Sequence, residues 1–256
     1  MATIVQEPPR AAPRDSFYFR LSAVMAAIIV AGFVNQFLAG RSTFAARPLV
    51  HLHGVVFMGW LAIFVMQSWL ASRRQIDLHR RLGRVATVWA ALMVAVAFWI
   101  IVDVTQRGTA PFFFLPQHFL FANPLGLTCF VGLVGAAVRL RRQPEWHRRL
   151  QICATAAISG PGFGRLIPMP LLIPYAFEAA ALCGLIFPAV GAVRDWRRDG
   201  RVHPAWWCGI AAIAVTLLIG RLVAFSPIGD AVYAWVTAGH PGAEVPGLAF
   251  PPPPPI

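Results

Sequence analysis

Imidazole both ligates transition metals and titrates near neutral pH. Five of the seven histidines in this 256-residue chain occur at related positions. His79 and His147 hold the same place in two similar stretches, RRQIDLHRRLGRVAT at 73–87 and RRQPEWHRRLQICAT at 141–155, which match at nine of fifteen positions. Upstream of them lie His51 and His53 in VHLHG, and His118 in PQHFLF. His51 precedes His79 by 28 residues and His118 precedes His147 by 29, so each copy carries one imidazole at either end of an apolar run. Two histidines from different helices are how a helix bundle holds b-type haem, one on each side of the iron. Three gathered at a helix end would suit zinc or copper.

The elements that must position these side chains are membrane spans. The chain is 58% hydrophobic and only 12% charged, with a mean hydropathy of +0.64. A soluble domain of this length needs more charged surface. A helix crosses the hydrocarbon with about 20 apolar residues, and seven runs qualify: 17–40, 49–71, 83–105, 114–139, 150–168, 171–193 and 205–225. The expected fold is therefore all-α and polytopic, with seven transmembrane helices over 17–225. A tail without structure is expected at 1–16, as is a proline-rich one at 226–256 that includes a short interfacial helix and ends in PPPPPI.

All 22 basic residues are arginines. Seventeen fall in the N-terminal tail and in the turns after spans two, four and six. This asymmetry predicts a cytoplasmic N-terminus and a C-terminus outside, in a bacterial inner membrane. It also accounts for the net charge of +12 through topology and lipid head groups, without nucleic acid. Cys129, Cys153, Cys183 and Cys208 lie in separate apolar runs with no C-x-x-C spacing, as packing residues would.

The repeated phrase joins span two to three and span four to five, so the repeating unit is a helix pair. Parallel repeats of this kind are related by an axis along the membrane normal. That axis predicts His51 or His53 facing His118 near the outer surface, and His79 facing His147 near the inner one. The outer trio is the preferred site for haem b or a metal. His79 and His147 come second, because each precedes two arginines in a basic turn. Span five breaks at SGPGFGR ahead of Arg165. Together with Glu178 and Arg221, this predicts an outward polar cavity whose arginines would hold a haem propionate or another small ligand, or else a simple ion pair.

The stretch 51–87 resembles a family of uncharacterised bacterial multi-pass membrane proteins. The resemblance rests on His53 and Gly54, Gln67 near the inner end of the span, and His79, Arg80, Leu82, Gly83 and Arg84 opening the next helix. It implies the fold and the membrane location; the family carries no assigned activity. A more distant similarity to di-haem cytochrome b bundles implies bis-histidine ligation. The expected function is electron transfer through haem b, with quinone or another membrane subunit as partner. The alternative is a small-solute transporter or an accessory subunit without a redox centre. No Ser-His-Asp or paired-carboxylate arrangement points to an enzyme acting on lipid.

Overall fold

The computed structural model of the protein describes residues 16–253. Most of the tail expected at 1–16, and the end of the PPPPPI run, lie outside them. Among the described residues the structure is helical and contains no strand. The α-helices are α1 (Phe17–Leu38), α2 (Pro48–Ser72), α3 (Ile76–Gln106), α4 (Pro116–Arg139), α5 (Pro144–Ala157), α6 (Gly160–Phe163), α7 (Ala176–Cys183), α8 (Ile186–Asp199), α9 (Pro204–Ala224) and α10 (Pro227–Thr237). Five of them begin with proline at the first helical position, where its fixed φ suits the helix and its missing N–H would have no partner anyway.

Six segments are long and apolar enough to cross a membrane: α1, α2, α3, α4, the continuous stretch Ala176–Asp199 formed by α7 and α8, and α9. At most 39% of any of their apolar windows is buried. Most of this surface therefore faces outward, as lipid-facing helices require. The chain is thus a membrane protein by its helices.

The segment expected as span five is not among the six. Its helix α5 has only 14 residues and ends at Ala157. Pro161 has no N–H to return to the Ala157 carbonyl, so the bond that would carry the helix on is missing where α5 ends. Yet α5 is the most enclosed element, with Arg149, Leu150 and every residue from Ile152 to Ala156 buried. It packs against α4, α8 and α9. Cys153 is fully buried there, and a Cβ on Gly209 of α9 would meet its Sγ at 2.3 Å. Small residues on both helices permit that close approach.

The C-terminal segment is folded rather than a loose tail. α10 packs on α3, α4 and α9. The side chain of Gln117 donates to the Ala224 carbonyl (2.6 Å) and to Asp230 (2.8 Å), and its backbone N–H donates to the Gly247 carbonyl (2.9 Å). Tyr233 donates its hydroxyl to the Val245 carbonyl at 3.0 Å. These bonds hold residues 226–247 across the end of the bundle opposite the arginine-rich turns. Composition alone suggested otherwise, because the anchor, Gln117, lies more than a hundred residues away in sequence.

Candidate functional site: a histidine pair at the arginine-rich end

Helices α2 and α3 form one hairpin and α4 and α5 another, each closed by one copy of the repeated phrase. His79 stands in the first turn of α3 and His147 in the first turn of α5. Both reach back to the helix before. The Nδ1 of His79 lies 3.2 Å from the Gln67 carbonyl of α2, and the Nδ1 of His147 lies 2.8 Å from the Ala137 carbonyl of α4. A carbonyl oxygen only accepts, so each Nδ1 carries the proton and each Nε2 keeps its lone pair in the neutral ring. The two rings meet with centroids 6.1 Å apart and planes at 83°.

That separation bears on ligation. Two imidazole nitrogens each about 2.0–2.1 Å from one ion, with about 1.1 Å more from nitrogen to ring centre, put the centroids about 6.3 Å apart. A backbone carbonyl on the second ring nitrogen is also the usual support of a ligating histidine, because it fixes the tautomer and makes the other nitrogen more basic. Donor set, tautomer and centroid spacing are those of a ligating pair, and the same 6.1 Å with planes at 83° is equally the edge-to-face packing of two rings. Gln67 adds to the site. Its amide nitrogen lies against Gly83, where a Cβ would meet it at 3.4 Å, and its Oε1 is buried with no hydrogen-bond partner. Gln67, His79 and Gly83, spread over 17 positions in sequence, are therefore one local unit.

The three outer histidines diverge. His51 is exposed, with Nε2 3.1 Å from the Phe44 carbonyl. His53 stacks on Phe57 with centroids 4.3 Å apart, and its Nδ1 is buried without a partner. The charge of Arg165 acts on it. His118 is buried, packed against Phe177 and Phe225. It lies within electrostatic reach of Glu178 and Arg221. On a regular helix His51 and His53 point to nearly opposite sides, so neither turns with the other toward α4. Among the described residues, no three His, Cys, Asp or Glu side chains gather to hold a metal.

Arg165 donates to the Pro161 carbonyl at 2.7 Å and lies over the Phe33 ring at 4.1 Å. Arg221 pairs with Glu178 at 2.6 Å and lies over Tyr175 and Phe225. The expected ion pair is thus Glu178 with Arg221. The second oxygen of Glu178 is buried and unbonded.

The spacing of residues did not reveal the largest polar cluster. Arg149 of α5 donates to Asp195 of α8 through Nε (2.8 Å) and Nη2 (2.9 Å), with both side chains almost fully buried. Trp206 of α9 donates its indole N–H to Asp195 at 2.8 Å, and Arg149 also bonds Glu145. The ring of Tyr18 stacks on Trp206 and carries Arg148 at 4.3 Å. The one signal available in sequence was an aspartate, Asp195, just past the end of the apolar run 171–193. No protein-family model, curated protein or solved structure matches the chain.

Proposed function

We propose that the chain is an electron-transfer protein of the bacterial inner membrane whose His79 and His147 ligate one b-type haem at the arginine-rich end. The observation that carries this reading is the pair itself: two imidazoles 6.1 Å apart, each with Nδ1 anchored on a carbonyl of the preceding helix. When bound, such a haem supplies one-electron redox chemistry. The chain's own residues do the rest. The carbonyls of Gln67 and Ala137 hold the rings and their tautomers.

Seven crossings accompany this reading. Arg149, near the start of α5, binds Asp195 at one end of the bundle. Past the helix break, the Arg165 carbonyl accepts from Asn35 near the end of α1, at 2.9 Å. The 20 residues from 144 to 163 extend about 30 Å at 1.5 Å each, the thickness of the hydrocarbon. The duplicated helix pair, the cytoplasmic arginine-rich end and the likeness to multi-pass proteins with the same histidine pattern belong to this proposal. Its test is a spectrum. Protein purified from haem-replete cells should show a Soret band and an α band that sharpens with dithionite. A colourless preparation that takes up no added haemin would overturn it.

A second reading is favoured by the other end. The unbonded oxygen of Glu178, its pairing with Arg221 and the nearby His118 form a polar site within apolar walls, as solute transporters use. Flux of a solute in proteoliposomes that stays unchanged in Glu178→Gln would remove this reading.

A further inference from the structure

Arg165 differs from the other arginines held between the helices. Arg149 meets Asp195 through Nε and Nη2, the edge of the guanidinium that forks onto a carboxylate, and Arg221 meets Glu178. Arg165 uses only Nη1, on the Pro161 carbonyl at 2.7 Å. Its Nε is buried with no hydrogen-bond partner, and among the described residues no acidic side chain acts on its charge. Phe33 of α1 covers one face of the guanidinium at 4.1 Å. The charge acts on His53 of α2, which stacks on Phe57 and whose Nδ1 is likewise buried and unbonded. Two neighbouring nitrogens therefore lack partners, and no bond joins them to each other. Buried polar atoms are normally satisfied, and a cation in apolar surroundings calls for an anion.

We propose that Arg165 and His53 bind a carboxylate carried on an apolar chain. The carboxylate supplies what both side chains lack: one oxygen accepts from the Nε–Nη2 edge of Arg165, the other from the Nδ1–H of His53, and its charge neutralises the guanidinium. Arg149 and Asp195 show the same edge taking a carboxylate elsewhere in this chain. The surroundings select the apolar chain. Val34, Val55 and Leu166, beside Phe33, His53 and Arg165 in sequence, are all exposed, so the site is flanked by apolar side chains open to lipid. Arg221 already holds its carboxylate, so this site is not the Glu178–Arg221 pair, and it does not depend on haem.

Calorimetric titration of the full-length protein in a non-ionic detergent, with decanoate, decanol and acetate as probes, tests this. Decanoate should bind saturably, and at least about tenfold more tightly than decanol, the order expected for hydrogen bonds to a charged group. Acetate, which has the carboxylate without the chain, should bind far more weakly than decanoate. Arg165→Gln should weaken decanoate about tenfold or more. It should not lower the melting temperature of the ligand-free protein, because it removes a charge that has no partner. His53→Phe, which keeps a ring on Phe57, should weaken decanoate about threefold. Four results would overturn the proposal: no saturable binding of decanoate, decanol binding as tightly, acetate binding as tightly, or decanoate affinity unchanged in Arg165→Gln. If Arg165→Gln fails to fold, Arg165→Lys, which keeps the charge and loses the fork, decides: unchanged affinity there and in His53→Phe overturns the proposal equally.

Discussion

Arg149 and Asp195 are joined by two hydrogen bonds in the interior of the bundle, while Arg81, which stands where Arg149 does in the first copy of the repeated phrase, is exposed. The difference lies in the partner. α5 is enclosed by neighbours and finds an aspartate on α8, whereas the start of α3 lies at the periphery. The same words thus perform different tasks in the two copies.

Removing one member of a buried pair strands the other charge, and this costs about 3–5 kcal/mol. Asp195→Ala should therefore lower the thermal unfolding temperature in detergent far more than Arg81→Gln, which should change stability by about 0.5 kcal/mol or less. Comparable melting of the two variants would show that the pair does not hold α5 and α8 together.

Haem ligation divides the histidines. His79→Ala and His147→Ala should each abolish the low-spin reduced spectrum, because one imidazole cannot supply two axial ligands. His51→Ala and His118→Ala should leave it intact. Loss of the spectrum in His118→Ala with retention in His79→Ala would move the site to the other end.

His203 caps α9 by accepting the Ala205 N–H at its Nδ1, at 3.2 Å. Burial lowers its affinity for a proton, and the charge of Arg149 lowers it further, so the folded pKa lies below the ordinary 6.5. The unfolded chain then binds the proton first. This stabilisation is present above about pH 6.5 and is lost as pH falls through the folded value. Thermal unfolding followed from about pH 7.5 to 5 should show that loss. His203→Asn replaces the ring nitrogen with an amide oxygen as the cap acceptor and should flatten the profile.

The crossing of α1 with α6 depends on glycine. A Cβ on Gly32 would lie 2.2 Å from the Gly162 carbonyl oxygen, and one on Gly162 would lie 2.8 Å from the Cα of Ile29. Both contacts involve backbone, so relief requires the helices to separate. Gly32→Ala should cost about 1–3 kcal/mol by overpacking, read as a lowered melting temperature. Gly54→Ala, with open space around it, should cost far less.

Much of this protein is legible in one dimension. Apolar runs and prolines determine where the long helices lie and start, because lipid demands about 20 apolar residues and proline suits the first turn. The repeated phrase determines that His79 and His147 occupy like positions, and a twofold relation between helix pairs already predicts that they meet. What the tertiary structure decides is which polar groups face one another across helices. It sends His51, His53 and His118 to three different surroundings, buries Arg149 against Asp195, and uses Gln117 to hold a segment that reads as a tail. Hydrophobic periodicity records only whether a residue prefers lipid or water. The partner of a buried charge is set by helix rotation and close packing, and these emerge only when the whole bundle is assembled.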